Sequence, residues 1–132
     1  MGENEAVPAL LVVDGANVVG SVPDGWWRDR RGAAERLRDT LVAVAGRGLP
    51  DRPGPLEVVL VLEGAARGVA GLPEVRVVDA SGSGDDRIVE LVRAARAEHP
   101  GRDLLVVTAD RELRARVAES GAAVAGPRSV RP

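Results

Sequence analysis

Five short apolar runs divide this chain, and the stretches between several of them repeat at helical period. The runs are Ala9 to Val13, Leu56 to Leu62, Val75 to Val78, Leu104 to Val107 and Ala123 to Ala125. They are continuous rather than alternating, the pattern of strands covered on both faces, as in a parallel sheet. From Arg30 to Ala45, Leu37, Leu41 and Val44 fall at i, i+4 and i+7 with charges elsewhere, which predicts an amphipathic helix. Ile88, Leu91, Val92 and Ala95 mark a helix over Asp85 to Glu98, stopped by Pro100-Gly101. Arg111 to Ser120 predicts a third helix, ended by Gly121. The order β-α-β-β-α-β-α-β implies an α/β, three-layer sandwich with a mainly parallel sheet of about five strands. Residues 1–132 form one domain, with a core from about residue 8 to 126. Asn17 to Asp29 is expected as a loop, Gly46 to Pro55 as a turn region, Gly64 to Pro73 as a Gly-rich connector, and 127–132 as a frayed tail.

Composition narrows the chemistry. The chain has no Cys, no Phe, no Tyr and one Met. Packing therefore falls to Val, Leu, Ala and Ile, and thiolate metal sites, disulfides and a Cys nucleophile are excluded. His99 is the one histidine; in Glu98-His99-Pro100-Gly101 it reads as a helix end, where a cation is favoured. All 18 basic residues are Arg, the net charge is −2, and a nucleic-acid surface would have to be a local patch. With no Lys, a Walker P-loop is excluded. Glu3 and Glu5 and the short apolar run after them do not make a signal peptide, and no run reaches transmembrane length. The expected location is the cytoplasm, with no membrane partner.

Three acidic motifs follow apolar runs or open helices: Val12-Val13-Asp14-Gly15-Ala16-Asn17, Ser81-Gly82-Ser83-Gly84-Asp85-Asp86-Arg87-Ile88, and Val106-Val107-Thr108-Ala109-Asp110-Arg111-Glu112-Leu113. In an open α/β sheet the carboxyl ends of parallel strands share one rim, where ligands bind. Two carboxylates ~5 Å apart repel by roughly 3 kcal/mol at an effective dielectric near 20, so a gathering of them suggests a hard cation such as Mg²⁺ or Mn²⁺. Each motif also has a plain structural reading. Asp14-Gly15 suits a turn, Ser83 to Asp86 suits a capping box, and Asp110 suits an N-cap.

The three motifs, in this order and with these elements between them, resemble the NYN domain of the PIN-like ribonuclease superfamily, in the style of its YacP-like branch. Asp14-Gly15-Ala16-Asn17-Val18-Val19-Gly20 resembles the family's opening strand end, Asp85-Asp86-Arg87-Ile88 its helix start, and Thr108-Ala109-Asp110-Arg111-Glu112-Leu113 its Thr/Ser-x-Asp-x-Asp/Glu segment. The resemblance runs from about residue 10 to 128. It implies a PIN-like sandwich and Mg²⁺- or Mn²⁺-dependent endoribonuclease activity. By position, Asp14, Asp85 and Asp110 would carry metal, with Asp86 and Glu112 as further acidic positions and Asn17 orienting a water or phosphate. Thr108 and Ser81 would bond a carboxylate or phosphate. Glu63, just past the second apolar run, would face the same rim. The metal would make bound water a nucleophile for in-line attack on the phosphodiester.

On the substrate side, Gly25-Trp26-Trp27-Arg28-Asp29-Arg30-Arg31 holds both tryptophans among arginines. Single-stranded RNA is commonly held by stacking bases on aromatics, so Trp26 and Trp27 are candidate base contacts; packing over the core is the alternative. Arg87 and Arg111 are candidate phosphate contacts, as is Arg128. The expected partner is single-stranded RNA, and a homodimer is open. Two other classes compete: a non-catalytic RNA-binding or regulatory module, and a metal-dependent nucleotide hydrolase. Asp79-Ala80-Ser81-Gly82-Ser83 resembles an adhesion metal site but falls late in the chain. Arg111-Glu112-Leu113 resembles part of a Nudix box but lacks the paired glutamates and the glycine spacing.

Overall fold

The computed structural model describes residues 7–131; Glu3 and Glu5 and the last residue of the tail lie outside the described residues. Seven strands and four helices follow one another along the described chain: β1 (Leu10–Asp14), α1 (Gly15–Gly20), α2 (Arg30–Arg47), β2 (Gly48–Leu49), β3 (Arg52–Pro53), β4 (Glu57–Leu62), β5 (Val75–Asp79), α3 (Gly84–Glu98), β6 (Leu104–Val107), α4 (Arg111–Ala118) and β7 (Ala123–Ala125). β2 and β3 make a small antiparallel ribbon. The other five strands form one sheet in the order β5-β4-β1-β6-β7, and every pairing in it is parallel. The α/β three-layer expectation and its sheet of five strands hold.

Period-two alternation along these strands divides the core in two. Leu11, Val13, Leu60 and Val107 face one side, where Val18 and Val19 of α1 and Leu37, Leu41 and Val44 of α2 cover them. Leu10, Val12, Val59 and Val106 face the other, beneath Ile88, Val89 and Val92 of α3 and Leu113 and Val117 of α4. Burial of both faces explains why the strand sequences are continuously apolar.

The chain leaves β1 toward β4 and β5 on one side, then crosses through α3 to β6 and β7 on the other. The place where strand order reverses, around β1, is where open sheets of this kind leave a crevice at the carboxyl ends.

Local corrections to the sequence reading have specific causes. The stretch after β1 is not all loop. Asp14 caps α1, accepting the Asn17 N–H at 3.3 Å, and a 3-10 turn spans Trp26–Arg28. The turn region after α2 carries the β2–β3 ribbon, and the Gly-rich connector opens with a 3-10 turn at Gly64–Ala66. The tail expected to fray is anchored over its described residues. Val130 is buried, and the Arg131 guanidinium donates to the Val18 carbonyl at 3.2 Å and to Asp24 at 2.6 Å. Among the described residues no helix is long and apolar enough to cross a membrane.

Candidate active site at the carboxyl rim

Asp14 is the last residue of the central strand and is almost fully buried. Two donors meet its carboxylate: the Asn17 N–H on Oδ1, and the Thr108 hydroxyl on Oδ2 at 2.8 Å. Thr108, buried just past β6, also accepts the Asp110 N–H at 3.1 Å. One hydroxyl therefore ties the end of β1 to the start of α4. Asp110 caps α4 through the Leu113 N–H at 2.8 Å. Asn17 adds a second tie, its side-chain oxygen accepting the Ala109 N–H at 2.9 Å. That bond fixes the Asn17 side chain beside the rim.

The remaining acids arrive from two directions. Asp85 stands in the first turn of α3. Glu63 follows β4, and its Oε1 lies so close to Gly84 that a Cβ there would stand 2.7 Å away and turn the carboxylate aside. Gly15 permits a close approach on the neighbouring side, where a Cβ would sit 2.6 Å from the Val61 carbonyl oxygen.

Electrostatics shows the acids acting as a set. Burial first, then the charges of Glu63 and Asp110, raise the Asp14 carboxyl above the ordinary aspartate range, while the Thr108 and Asn17 donors pull the other way. Asp85 is raised by burial and by the charges of Asp14 and Asp110, against an opposing pull from Arg116 and a further push from Asp86. Asp14, Glu63, Asp85 and Asp110 thus share one field at the rim. Asp86 points elsewhere, into an ion pair with Arg116 at 3.0 Å. Glu112 is exposed on the first turn of α4 and is not among the groups that perturb Asp14 or Asp85.

The donors are hard oxygens, the chemistry that suits Mg²⁺ or Mn²⁺. Among the described residues, no three acidic or histidine side chains are drawn together tightly enough for a closed metal cage. The arrangement therefore suits an ion held by one or two carboxylates that keeps part of its water shell, the usual habit of Mg²⁺.

The other candidate residues are spread around the rim. Ser81 is exposed, and Ser83 caps α3 through the Asp86 N–H at 3.1 Å. Asp79 accepts the Gly68 N–H at 3.2 Å, so Asp79 and Ser83 of the Asp-x-Ser-x-Ser run serve separate local bonds. Arg87 pairs with Glu90 at 3.2 Å on the face of α3, and Arg111 is exposed at the start of α4. Trp26 is half-buried against the core, whereas Trp27 is 49% exposed; the rings meet edge to face, 5.8 Å between centroids. Arg30, read from sequence as a helix start and as part of the Trp/Arg run, lies with its guanidinium 5.2 Å from the Trp26 ring centre. The tryptophans three and four residues before it were the available signal. Arg116 was invisible in sequence because it meets Asp86 across two helices.

Comparison with solved structures gives the class to which this architecture corresponds. The fold is that of crystal structures of Rae1 (YacP) from Bacillus subtilis, the branch that the three motifs resemble. One matches with a TM-score of 0.75 and a tryptophan-to-leucine mutant with 0.69. Identity to each is 19%; both cover 92% of this chain, which spans 70% and 72% of theirs, respectively. No protein-family model matches the chain, and no curated protein sequence does.

Proposed function

We propose that this chain is a metal-dependent endoribonuclease that hydrolyses phosphodiester bonds of single-stranded RNA at the carboxyl rim of its sheet. The observation that carries the reading is the convergence of Asp14, Glu63, Asp85 and Asp110 on one rim, where Asp14 and Asp85 are pushed above their ordinary range by burial first and then by the charges of their acidic neighbours. Such a set is poorly stable alone and is relieved by a divalent cation. Of Asp14, Asp85 and Asp110, one or two would hold Mg²⁺ or Mn²⁺ directly and the rest through its waters, and the ion would supply an activated water and charge neutralisation at the phosphate. Thr108 holds Asp14 and the start of α4 in register. Trp26 and Trp27 offer stacking surface to unpaired bases, and Arg111 and Arg87 border the approach of the phosphate backbone.

The absence of a closed cage among the described residues favours one rival, a non-catalytic RNA-binding module. Cation titration separates the two. Binding to the folded state stabilises by RT ln(1 + [L]/Kd), about 2.7 kcal/mol at a hundredfold excess over Kd. The enzyme reading predicts a melting temperature that climbs with Mg²⁺ or Mn²⁺ and metal-dependent cutting of a single-stranded RNA. A chain that binds the RNA but shows neither is the binding module.

A further inference from the structure

Beside the acidic rim lies a cavity of about 250 Å³, smaller than pockets that enclose drug-sized ligands. Its apolar lining includes Val19, Leu62 and Ala66, its polar lining includes Arg30 and Glu63, and Trp26 also borders it. The Arg30 guanidinium lies 5.2 Å from the Trp26 ring centre, beside an indole on which an aromatic ring packs well. None of the ion pairs among the described residues involves Arg30 or Glu63, so a donor and an acceptor are both left for a ligand. Gly15 and Ala16, the residues that follow Asp14, line it as well, which places the cavity next to the acids.

We propose that this cavity is a guanine pocket for a nucleotide flanking the cleaved phosphate. Volume, an indole and an apolar lining call for a single nucleobase. The pairing of a carboxylate with a guanidinium selects among bases. Guanine alone presents two parallel N–H donors, N1 and N2, to a carboxylate, and its O6/N7 edge is the commonest partner of arginine. Glu63 is the acceptor, Arg30 the donor at the base edge and Trp26 the stacking surface. The placement beside a scissile phosphate rests on the endoribonuclease reading, whereas the pocket's base preference does not.

The chain contains two tryptophans and no tyrosine or phenylalanine, so its intrinsic fluorescence reports this loop alone. In Trp27→Phe, Trp26 is the one emitter. Titration with 5′-GMP, AMP, CMP and UMP in EDTA is expected to give saturable quenching, at least tenfold tighter for GMP. Glu63→Gln is expected to bring the four nucleotides within threefold of one another. Ala66→Leu, with unchanged circular dichroism and melting, is expected to abolish the quenching. Equal affinity for all four, no quenching by any, or a GMP preference that survives Glu63→Gln would overturn the proposal. Because no metal is present, the two readings fail separately. RNA cutting without a GMP preference removes only the pocket, and a GMP preference without RNA cutting removes only the nuclease.

Discussion

The chemistry of the rim depends on how single carboxylates are held. Asp14 is buried at the end of the central strand and steadied by the Thr108 hydroxyl and the Asn17 N–H. Thr108→Val removes a bond to a charged, buried group and strands the Asp110 N–H, and should cost about 2–3 kcal/mol; Thr108→Ser, which keeps the hydroxyl, should recover most of it. Urea midpoints of the two variants check this, and equal midpoints would contradict it. Asp14 and Asp85 both titrate above the ordinary value of 3.8. A carboxyl raised on folding binds its proton more tightly in the folded state. Its stabilising share is therefore full below the ordinary value and is lost as pH rises through the raised one. In EDTA, Asp85→Asn should melt above the wild type by a margin that grows as pH rises past the ordinary carboxylate range. Superimposable melting curves above that range would refute the strained-acid account.

Elements place these residues, and here the sequence was legible in part. β1, β4 and β6 announced themselves as apolar runs because both their faces are covered, the edge strands β5 and β7 announced themselves as shorter apolar runs though they are partly exposed, and α3 announced itself by the spacing of Ile88, Leu91, Val92 and Ala95. Asp14, Asp85 and Asp110 were visible because each stands where a run ends or a helix begins. α1 was not legible. It is 6 residues long, too short for a periodic signature, and exists because Asp14 caps it and β4 packs beneath it. The partners of Asp86 and Asn17 were hidden for another reason: Arg116 and Ala109 lie far away in sequence and meet them only through the sheet's crossovers. Gly15 was read as part of a turn, yet its role is close approach to the Val61 carbonyl. Gly15→Ala should therefore overpack the β1–β4 junction at a cost of about 1–3 kcal/mol. A lowered denaturant midpoint with an unchanged slope is the expected result; an unchanged midpoint would show that the junction yields freely.

Across the whole molecule, an almost purely aliphatic core holds two helical layers against one parallel sheet, and the reversal of strand order about β1 leaves its carboxyl rim open. The three layers bring β1, the end of β4, the start of α3 and the start of α4 to that rim, and each delivers an acid. The same rim continues into the Trp26–Arg30 cavity, so the proposed reaction site and the proposed base pocket are neighbours on one edge. Cleavage of a labelled single-stranded RNA, followed with and without Mg²⁺ or Mn²⁺, tests the central claim most directly. The wild type should cut only with the cation. Asp14→Asn and Asp110→Asn, each folded by circular dichroism, should lose at least about a hundredfold in rate. Cutting at the wild-type rate by either variant, or an unchanged rate in EDTA, would contradict it.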